Sequence, residues 1–261
     1  MLGRRAFLKS GAVAAGATAF CGTVQAAEAC NKPAGVRGYS YRLPKFKAGA
    51  RLVFQGDSIT DMLWGRNESD RNHYLGHSYV YLIASRLGVD RPEDKLEFFN
   101  RGVSGNGISD LKQRWQKDAI EMKPDLLSVL VGVNDVGRLS NGVTPKQWED
   151  DYRYLLDASR KATPDLKLVL LDPFVLASGR LANAGEYTKW REKIDLMTPV
   201  VAQLAKDYSA VHIKTQSVFD AAAKEVSPEH WIWDGVHPLP QGHELIARNW
   251  LEEVSARWNK V

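Results

Sequence analysis

The sequence predicts an α/β fold, in which helices cover both faces of one parallel β-sheet. Five short apolar runs alternate along the chain with longer segments whose apolar residues recur at helical spacing. This alternation is typical of a parallel sheet, because parallel strands need long crossover connections between them. The length of 261 residues is at the upper end of what one such domain needs, at roughly 100–200 residues per domain.

Each predicted strand is a short apolar run that ends at a turn-forming or polar residue. The strands are expected at residues 51–55, 96–100, 125–131, 167–171 and 210–214. Helices are expected at residues 77–87, 109–122, 144–162, 186–208, 216–224 and 241–257, with long irregular loops at 61–76 and 227–242. Gly88 is expected to end the first helix, and Pro199 is expected to break or kink the fourth.

The N-terminus has the features of an export signal. Arg4 and Arg5 precede a short, weakly apolar run, and small residues up to Ala26 suit cleavage by a signal peptidase. The run is too short for a permanent membrane span, so no stable membrane anchor is expected. We therefore expect a twin-arginine-type signal peptide at 1–26 that is read by the twin-arginine export machinery, and a periplasmic or secreted protein. An irregular lead-in is expected at 27–50, followed by one domain at 51–261.

Composition and charge narrow the classes of function. Hydrophobic residues make up 44% and charged residues 25% of the chain, as is usual for a soluble globular protein. The net charge of +4 includes Arg4, Arg5 and Lys9 of the expected signal, so the remaining chain is close to neutral and charge gives no support for a nucleic-acid partner. Cleavage would leave Cys30 as the only cysteine, which excludes an internal disulfide.

Ser58 follows the first predicted strand directly, in the segment LVFQGDSITD at 52–61. Ligands of open α/β sheets bind outside the carboxyl ends of the strands, so a hydroxyl at this position could act as a nucleophile. The alternative is that Ser58 only caps the next helix. Taken alone, the Gly-Asp-Ser segment favours the capping role, and the motifs further along the chain favour the nucleophile.

Three other segments bring matching chemistry to loops of the predicted fold. The second strand leads into a Gly-rich loop that contains Gly105, the third strand ends just before Asn134, and Asp234 and His237 lie in the loop at 227–242. Acyl transfer by a serine needs a base, a group that orients the base, and donors that stabilise the oxyanion. His237 is the candidate base and Asp234 its partner. The N–H groups of Ser58 and Gly105 and the side-chain amide of Asn134 are the candidate oxyanion donors.

Four segments together resemble the conserved blocks of the SGNH, or GDSL, hydrolase superfamily. They are GDSIT at 56–60, NRGVSGN at 100–106, GVND at 132–135 and DGVHP at 234–238. The resemblance implies a flavodoxin-like three-layer sandwich with five parallel strands, and neither metal nor cofactor. It also implies the same roles for Ser58, Gly105, Asn134, Asp234 and His237.

A narrower resemblance extends beyond these blocks. GVSGNGISDLKQRWQKD at 102–118 and WDGVHPLPQGHELIAR at 233–248 are similar to the acetylxylan-esterase branch of the superfamily, whose members remove acetyl groups from xylan and its oligosaccharides. We therefore expect a serine esterase for short acyl esters, with O-acetyl groups on a xylan-type polysaccharide or oligosaccharide as substrate. The alternatives are a lysophospholipase or thioesterase on the same scaffold, and a carbohydrate-binding protein without catalysis.

Candidate substrate contacts are aromatic. An indole face can stack on a sugar ring, but tryptophan also fills protein cores. Trp233 and Trp231 lie just before Asp234, and Trp64 lies in the loop after Ser58, so all three are candidates for binding substrate. Arg66 and Arg138 bind an acidic sugar or are simply solvated. The oligomeric state is left open, with a homo-oligomer as one alternative.

Overall fold

A computed structural model describes residues 44–259, and the export signal expected at 1–26 lies outside the described residues, as does most of the lead-in expected at 27–50. The described chain contains one sheet of five parallel strands in the order β2-β1-β3-β4-β5. The strands are β1 Arg51–Gly56, β2 Glu97–Gly102, β3 Leu126–Leu130, β4 Lys167–Leu171 and β5 Val211–Ile213. This is the strand order of flavodoxin-like doubly wound folds, and it confirms the predicted fold class.

Helices surround the sheet. They are α1 Ser58–Asp61, α2 Tyr79–Asp90, α3 Ile108–Trp115, α4 Asp135–Ser140, α5 Pro145–Ala162, α6 Ala184–Asp207, α7 Thr215–Glu225, α8 Pro228–Trp231 and α9 Pro240–Trp258. Helix α3 continues into a π-helical turn at Gln116–Ile120, and short 3-10 turns lie at Pro92–Asp94 and Gly179–Leu181. Helix α2 packs against α9, and α3 packs against α5, which also contacts α6.

The central strands read as unbroken apolar runs because both of their faces are buried. Every residue of β3 is buried, and so are all residues of β1 except Arg51. Polar atoms in this core have partners: the indole N–H of Trp250 in α9 donates to the hydroxyl of Ser128 in β3 at 3.1 Å. The last helix, α9, is therefore part of the same core as the central strand β3.

The predicted helix end at Gly88 is wrong, and of the break or kink expected at Pro199 the break does not occur. Helix α2 continues through Gly88 to Asp90, and α6 continues through Pro199 without ending. Proline inside a helix costs ~3 kcal/mol through its missing N–H and its ring. Pro199 is exposed on α6, while Met197 and Val201 on either side are buried. Tertiary packing of that buried face outweighs the local preference for a break.

The loop expected at 227–242 contains more structure than predicted. Helix α8 occupies its first part, and an antiparallel bridge joins Ile232 to Pro238. The N–H of Trp233 donates to the carbonyl of His237 at 2.9 Å, and the N–H of Leu239 donates to that of Trp231 at 2.9 Å. These contacts close residues 232–238 into a small loop with a defined shape.

None of the helices in residues 44–259 is long and apolar enough to cross a membrane. Within the same residues, no group of three or more His, Cys, Asp or Glu side chains is placed to hold a metal ion.

Candidate active site

The strand order places three candidate segments side by side. Gly56 at the end of β1 pairs with Gly102 at the end of β2 and with Leu130 at the end of β3. The loops that follow these strands therefore start at the same level of the sheet, at its carboxyl edge. This edge is where open α/β sheets bind their ligands.

Ser58 is the first residue of α1 and does not cap it. The cap is Asp57, whose carboxylate accepts a hydrogen bond from the N–H of Ile59 at 2.9 Å. The hydroxyl of Ser58 is therefore free for another partner, and its Oγ lies 2.8 Å from Nε2 of His237. The capping alternative for Ser58 is wrong, because the neighbouring aspartate has that role.

His237 is held by Asp234 through both its ring and its backbone. Nδ1 of His237 lies 2.9 Å from one carboxylate oxygen of Asp234, and the other oxygen accepts from the N–H groups of Val236 and His237 at 3.0 and 2.8 Å. Burial by itself raises the pKa of Asp234, but these hydrogen bonds outweigh it and hold the pKa below its usual value. The carboxylate therefore stays charged near neutral pH and orients the imidazole.

Gly105 lies in a tight turn between β2 and α3. The N–H of Asn106 donates to the carbonyl of Val103 at 3.1 Å, which closes a four-residue turn. Gly105 is its third residue and has a φ of +83°, as a type II turn requires at that position. The turn is tied to β1 because the N–H of Val103 donates to the carbonyl of Gly56 at 3.0 Å.

Asn134 faces the same turn. It directly precedes α4 and is half-buried. Its side-chain amide donates to the carbonyl of Asn106 at 3.0 Å. An amide carries two N–H donors, so this contact leaves one of them for a ligand and fixes the direction in which it points.

This arrangement is matched by known proteins. The pattern of the GDSL-like lipase/acylhydrolase family matches residues 54–245, which span all four motifs. The chain belongs to this family. An acetylxylan esterase of Geobacillus stearothermophilus is 33% identical over 220 residues, which cover 82% of this chain and 98% of that enzyme. The predicted membership of the GDSL superfamily is confirmed, and the protein is a carboxylic ester hydrolase.

Solved structures of other enzymes agree with this assignment. Axe2, an acetylxylan esterase from Geobacillus stearothermophilus, matches with a TM-score of 0.71 and 32% identity over 82% of this chain and 98% of its own. LAE5, an α/β hydrolase enzyme from the metagenome of Lake Arreo in Spain, matches with a TM-score of 0.69 and 29% identity over 80% and 96% of the two chains. Catalytic mutants of Axe2 replace a serine, an aspartate and a histidine, and the aspartate and histidine are three residues apart.

Only one of the three candidate tryptophans is available to a ligand in this GDSL-family enzyme. Trp233 is 67% exposed, and its ring centre lies 6.4 Å from that of His237. Trp231 is buried and donates its indole N–H to the carbonyl of Val226 at 3.1 Å. Trp231 is therefore a core residue, and the expectation that it binds substrate is wrong.

Trp64 is also a structural residue. Its indole N–H donates to the carbonyl of Gly102 at 2.8 Å, and the guanidinium groups of Arg66 and Arg101 lie over its ring at 4.4 and 5.1 Å. The side chain is 9% exposed, so a sugar ring cannot stack on it. The expectation that Trp64 contacts substrate is wrong, because the indole packs the loop after α1 onto the end of β2.

Sequence reasoning missed the ion pairs and long-range hydrogen bonds around the site. The Oδ2 of Asp61 accepts from Arg66 at 2.7 Å and from the N–H and hydroxyl of Ser104, 43 residues away, at 3.0 and 2.8 Å. Burial raises the pKa of Asp61, and these hydrogen bonds more than reverse it, so the carboxylate is held charged. Arg66 is therefore paired with a buried carboxylate, while half of its side chain stays exposed to solvent.

A second ion-pair cluster lies beside Asn134. The carboxylate of Asp135 accepts from the N–H of Ile108 at 3.0 Å and from Arg138 at 3.1 Å. Arg138 also binds Asp110 at 2.6 Å. Arg138 therefore pairs with two carboxylates, and about a third of its side chain stays exposed. The cluster joins the start of α3 to α4, a contact across sequence that no local motif reveals.

Proposed function

We propose that this enzyme is a serine esterase that removes short acyl groups, with O-acetyl groups on xylan-type polysaccharides or oligosaccharides as its substrate class. The observation that carries the proposal is the hydrogen-bonded series from Ser58 through His237 to Asp234, beside a loop that presents N–H donors. The similarity to an acetylxylan esterase over most of both chains supports the choice of substrate.

In the first half of the proposed reaction, the Oγ of Ser58 attacks the ester carbonyl carbon and gives its proton to Nε2 of His237. Asp234 stabilises the imidazolium that forms, through the contact to Nδ1. The tetrahedral intermediate collapses to an acetyl-enzyme when the bond to the sugar oxygen breaks and His237 gives its proton to that oxygen, which leaves as a hydroxyl.

In the second half, a water molecule attacks the acetyl-enzyme. His237 takes one proton from this water and passes it to Oγ of Ser58 as the acyl bond breaks, which releases acetic acid and regenerates the hydroxyl. Acetic acid then ionises in solution. A proton therefore passes between Oγ of Ser58 and Nε2 of His237 in both halves of the cycle.

Three donors are proposed for the oxyanion: the N–H groups of Ser58 and Gly105, and the side-chain amide of Asn134. The first N–H groups of a helix have no partner within it, and the cap at Asp57 takes the N–H of Ile59 rather than that of Ser58. The geometry of the Gly105 turn and the contact of Asn134 to Asn106 support a common direction for the other two donors. Removing one such donor typically lowers kcat by about 10²–10³-fold.

Trp233 is proposed to stack on a sugar ring next to the scissile ester. It is the most exposed of the three candidate tryptophans and lies beside the proposed base. A mutant of Axe2 changes the tryptophan directly before its mutated aspartate, and Trp233 directly precedes Asp234 in this chain. This shared position supports a role near the substrate.

Export through the twin-arginine machinery remains a proposal that rests on the residues at 1–26, with the mature enzyme in the periplasm or outside the cell. The division into an irregular lead-in at 27–50 and one domain at 51–261 is proposed from the Pro and Gly residues before position 51 and the strand that begins there. A substrate that is a plant-type polysaccharide supports an exported enzyme, because such a polymer does not enter a cell.

The central test compares the wild type with Ser58→Ala on acetylated xylooligosaccharides and on p-nitrophenyl esters of increasing chain length, with released acid as the readout. Ser85→Ala is the matched control, since Ser85 is exposed on α2 and bonds only the carbonyl of Tyr81. We expect activity on acetyl esters in the wild type and the control, and none above background in Ser58→Ala. Activity that survives in Ser58→Ala would refute the mechanism, and a preference for long acyl chains would favour a lysophospholipase or thioesterase.

A further inference from the structure

Arg114 is a half-buried arginine on α3 whose guanidinium faces the loops of the candidate site. Its Nε donates to the side-chain oxygen of Asn106 at 2.8 Å. Its Nη1 donates to the side-chain oxygen of Gln55 at 2.9 Å and to the carbonyl of Arg101 at 2.8 Å. Its Nη2 lies 3.2 Å from the carbonyl of Gly56. One side chain therefore ties the end of β1 to both ends of the loop that follows β2.

The contact to Asn106 extends to a proposed oxyanion donor. Asn106 binds Arg114 through its side-chain oxygen and accepts the amide N–H of Asn134 on its backbone carbonyl. Asn106 also directly follows Gly105 and closes the turn that contains it. A shift of Asn106 would therefore move Gly105 and Asn134 together.

We propose that Arg114 is a positioning residue for the oxyanion donors: through Asn106 it fixes where the N–H of Gly105 and the amide of Asn134 point. This inference rests on the proposed esterase function. Arg114 would not touch substrate. Its guanidinium would hold the donors where the oxyanion forms, because a misplacement of about 1 Å at a catalytic group can cost about 10²-fold in rate.

Arginine suits this role for a geometric reason. A guanidinium is a rigid planar fork that can donate several hydrogen bonds in fixed directions, whereas an ammonium group is a point charge on a flexible chain. Asp118, one turn further along the helix, lies 3.2 Å from Nη1 and balances the charge. Lysine at position 114 would keep this ion pair but could not bridge Asn106, Gln55 and the two carbonyls at once.

Two variants separate positioning from folding. Arg114→Gln removes the charge and most of the contacts, and Arg114→Lys keeps the charge and the helix. Arg160→Gln is the matched control, because Arg160 also holds backbone carbonyls, of Pro164, Leu166 and Tyr208, but takes no part in the candidate site. All variants are compared at a temperature where thermal unfolding shows each of them folded.

The expected result is a fall of kcat on p-nitrophenyl acetate by about 10–10²-fold in Arg114→Gln, with KM within about threefold of the wild type. Arg114→Lys is expected to lie between Arg114→Gln and the wild type. Arg160→Gln is expected to lower the melting temperature while its kcat stays that of the wild type. A residue that only stabilised the fold would follow the control.

A double-mutant cycle with Asn134→Ala tests whether Arg114 affects kcat through the amide of Asn134. If Arg114 acts through the amide of Asn134, Arg114→Gln costs much less activity in the Asn134→Ala background than in the wild type. Additive losses, or wild-type kcat in both folded Arg114 variants, would overturn the proposal. An inactive wild type, or activity that survives in Ser58→Ala, would instead refute the esterase mechanism, so the two failures are distinguishable.

Discussion

The hydroxyl of Ser58 and the imidazole of His237 lie 2.8 Å apart, although 179 residues separate them in the chain. Ser58 begins the helix after the central strand β1, and His237 lies in the closed loop before the last helix. The Asp234 carboxylate holds that loop by three hydrogen bonds. The loop therefore carries a histidine whose direction is set before any substrate binds.

The first prediction concerns Asp234→Asn. The asparagine oxygen can still accept from the N–H groups of Val236 and His237, so the loop is expected to keep its shape. Its NH₂ group would face Nδ1 of His237 and impose the wrong tautomer on the ring. In serine proteases the corresponding change costs on the order of 10⁴ in kcat, and here we expect a fall of about 10²–10⁴.

Steady-state kinetics on p-nitrophenyl acetate measure this effect, and thermal unfolding checks that the loop is intact. Asp207→Asn is the control, because Asp207 is paired with Arg153 and Gln203 on the exposed end of α6. A folded Asp234→Asn variant with kcat close to the wild-type value would show that Asp234 does not orient the base.

A second prediction separates substrate binding from chemistry at Trp233. Replacing its exposed indole with alanine is expected to raise KM for acetylated xylooligosaccharides by about three- to tenfold, the effect of losing one stacking contact of about 1 kcal/mol. Hydrolysis of p-nitrophenyl acetate is expected to change little, since that ester has no sugar ring. The backbone contact from Trp233 to His237 does not depend on the indole.

Leu196→Ala is the matched control for Trp233→Ala, because Leu196 is a large apolar side chain that is 45% exposed on α6. Equal losses on the sugar ester and on the small ester would show that Trp233 acts on the catalytic loop itself. Unchanged kinetics on both esters would remove Trp233 from the substrate site.

The residues of the candidate site could be predicted because most of them follow strand ends. Ser58, Gly105 and Asn134 each lie a few residues after a short apolar run, and parallel strands bring those positions to one edge. Asp234 and His237 could be predicted from their spacing and from the family resemblance. The fold class followed from the alternation of elements. The element boundaries and the end of α2 needed correction, and the short helices α4 and α8 were not predicted.

Side-chain burial and long-range pairing could not be predicted. Trp64, Trp231 and Trp233 look alike in the sequence, yet only Trp233 is exposed, because exposure depends on how the loops pack against each other. The partners of Arg114 include Gln55, which is 59 residues away. Contacts of this kind do not occur at a fixed spacing along the chain. From the sequence alone, such residues are therefore indistinguishable from ordinary surface charges.

A third prediction concerns the close approach of α3 to α4. A methyl group at Gly107 would overlap the carboxylate of Asp135 and the guanidinium of Arg138. Asp135 directly follows Asn134, so Gly107→Ala is expected to move the amide and to lower kcat on acetyl esters by about tenfold or more. The melting temperature is also expected to fall, since the buried pair must rearrange.

Gly88→Ala is the control for this substitution. Gly88 lies inside α2, and a methyl group there would meet no atom within 4 Å. Alanine should stabilise the helix by up to about 1 kcal/mol and leave kcat unchanged. Wild-type kcat in Gly107→Ala would show that the contact between α3 and α4 does not control the direction of Asn134.

The last prediction follows from the buried carboxyl of Asp57. Burial raises its pKa to about 7, the hydrogen bond from Ile59 opposes this, and the charge of Asp135 adds to it. Between its unfolded value near 3.8 and about 7, the folded protein binds a proton that the unfolded chain has released. The free energy of unfolding contributed by Asp57 therefore falls as the pH rises through this window.

Asp57→Asn removes this pH dependence, since an amide has no charge and its oxygen can still accept from the N–H of Ile59. The melting temperature of the variant minus that of the wild type is therefore expected to increase from about pH 5 to about pH 8. The carboxyl of Asp207 is the opposite case, because hydrogen bonds from Arg153 and Gln203 lower its pKa. Asp207→Asn should thus give a constant difference over that range. A constant or shrinking difference for Asp57→Asn would mean that its carboxyl is already charged in the folded enzyme at low pH.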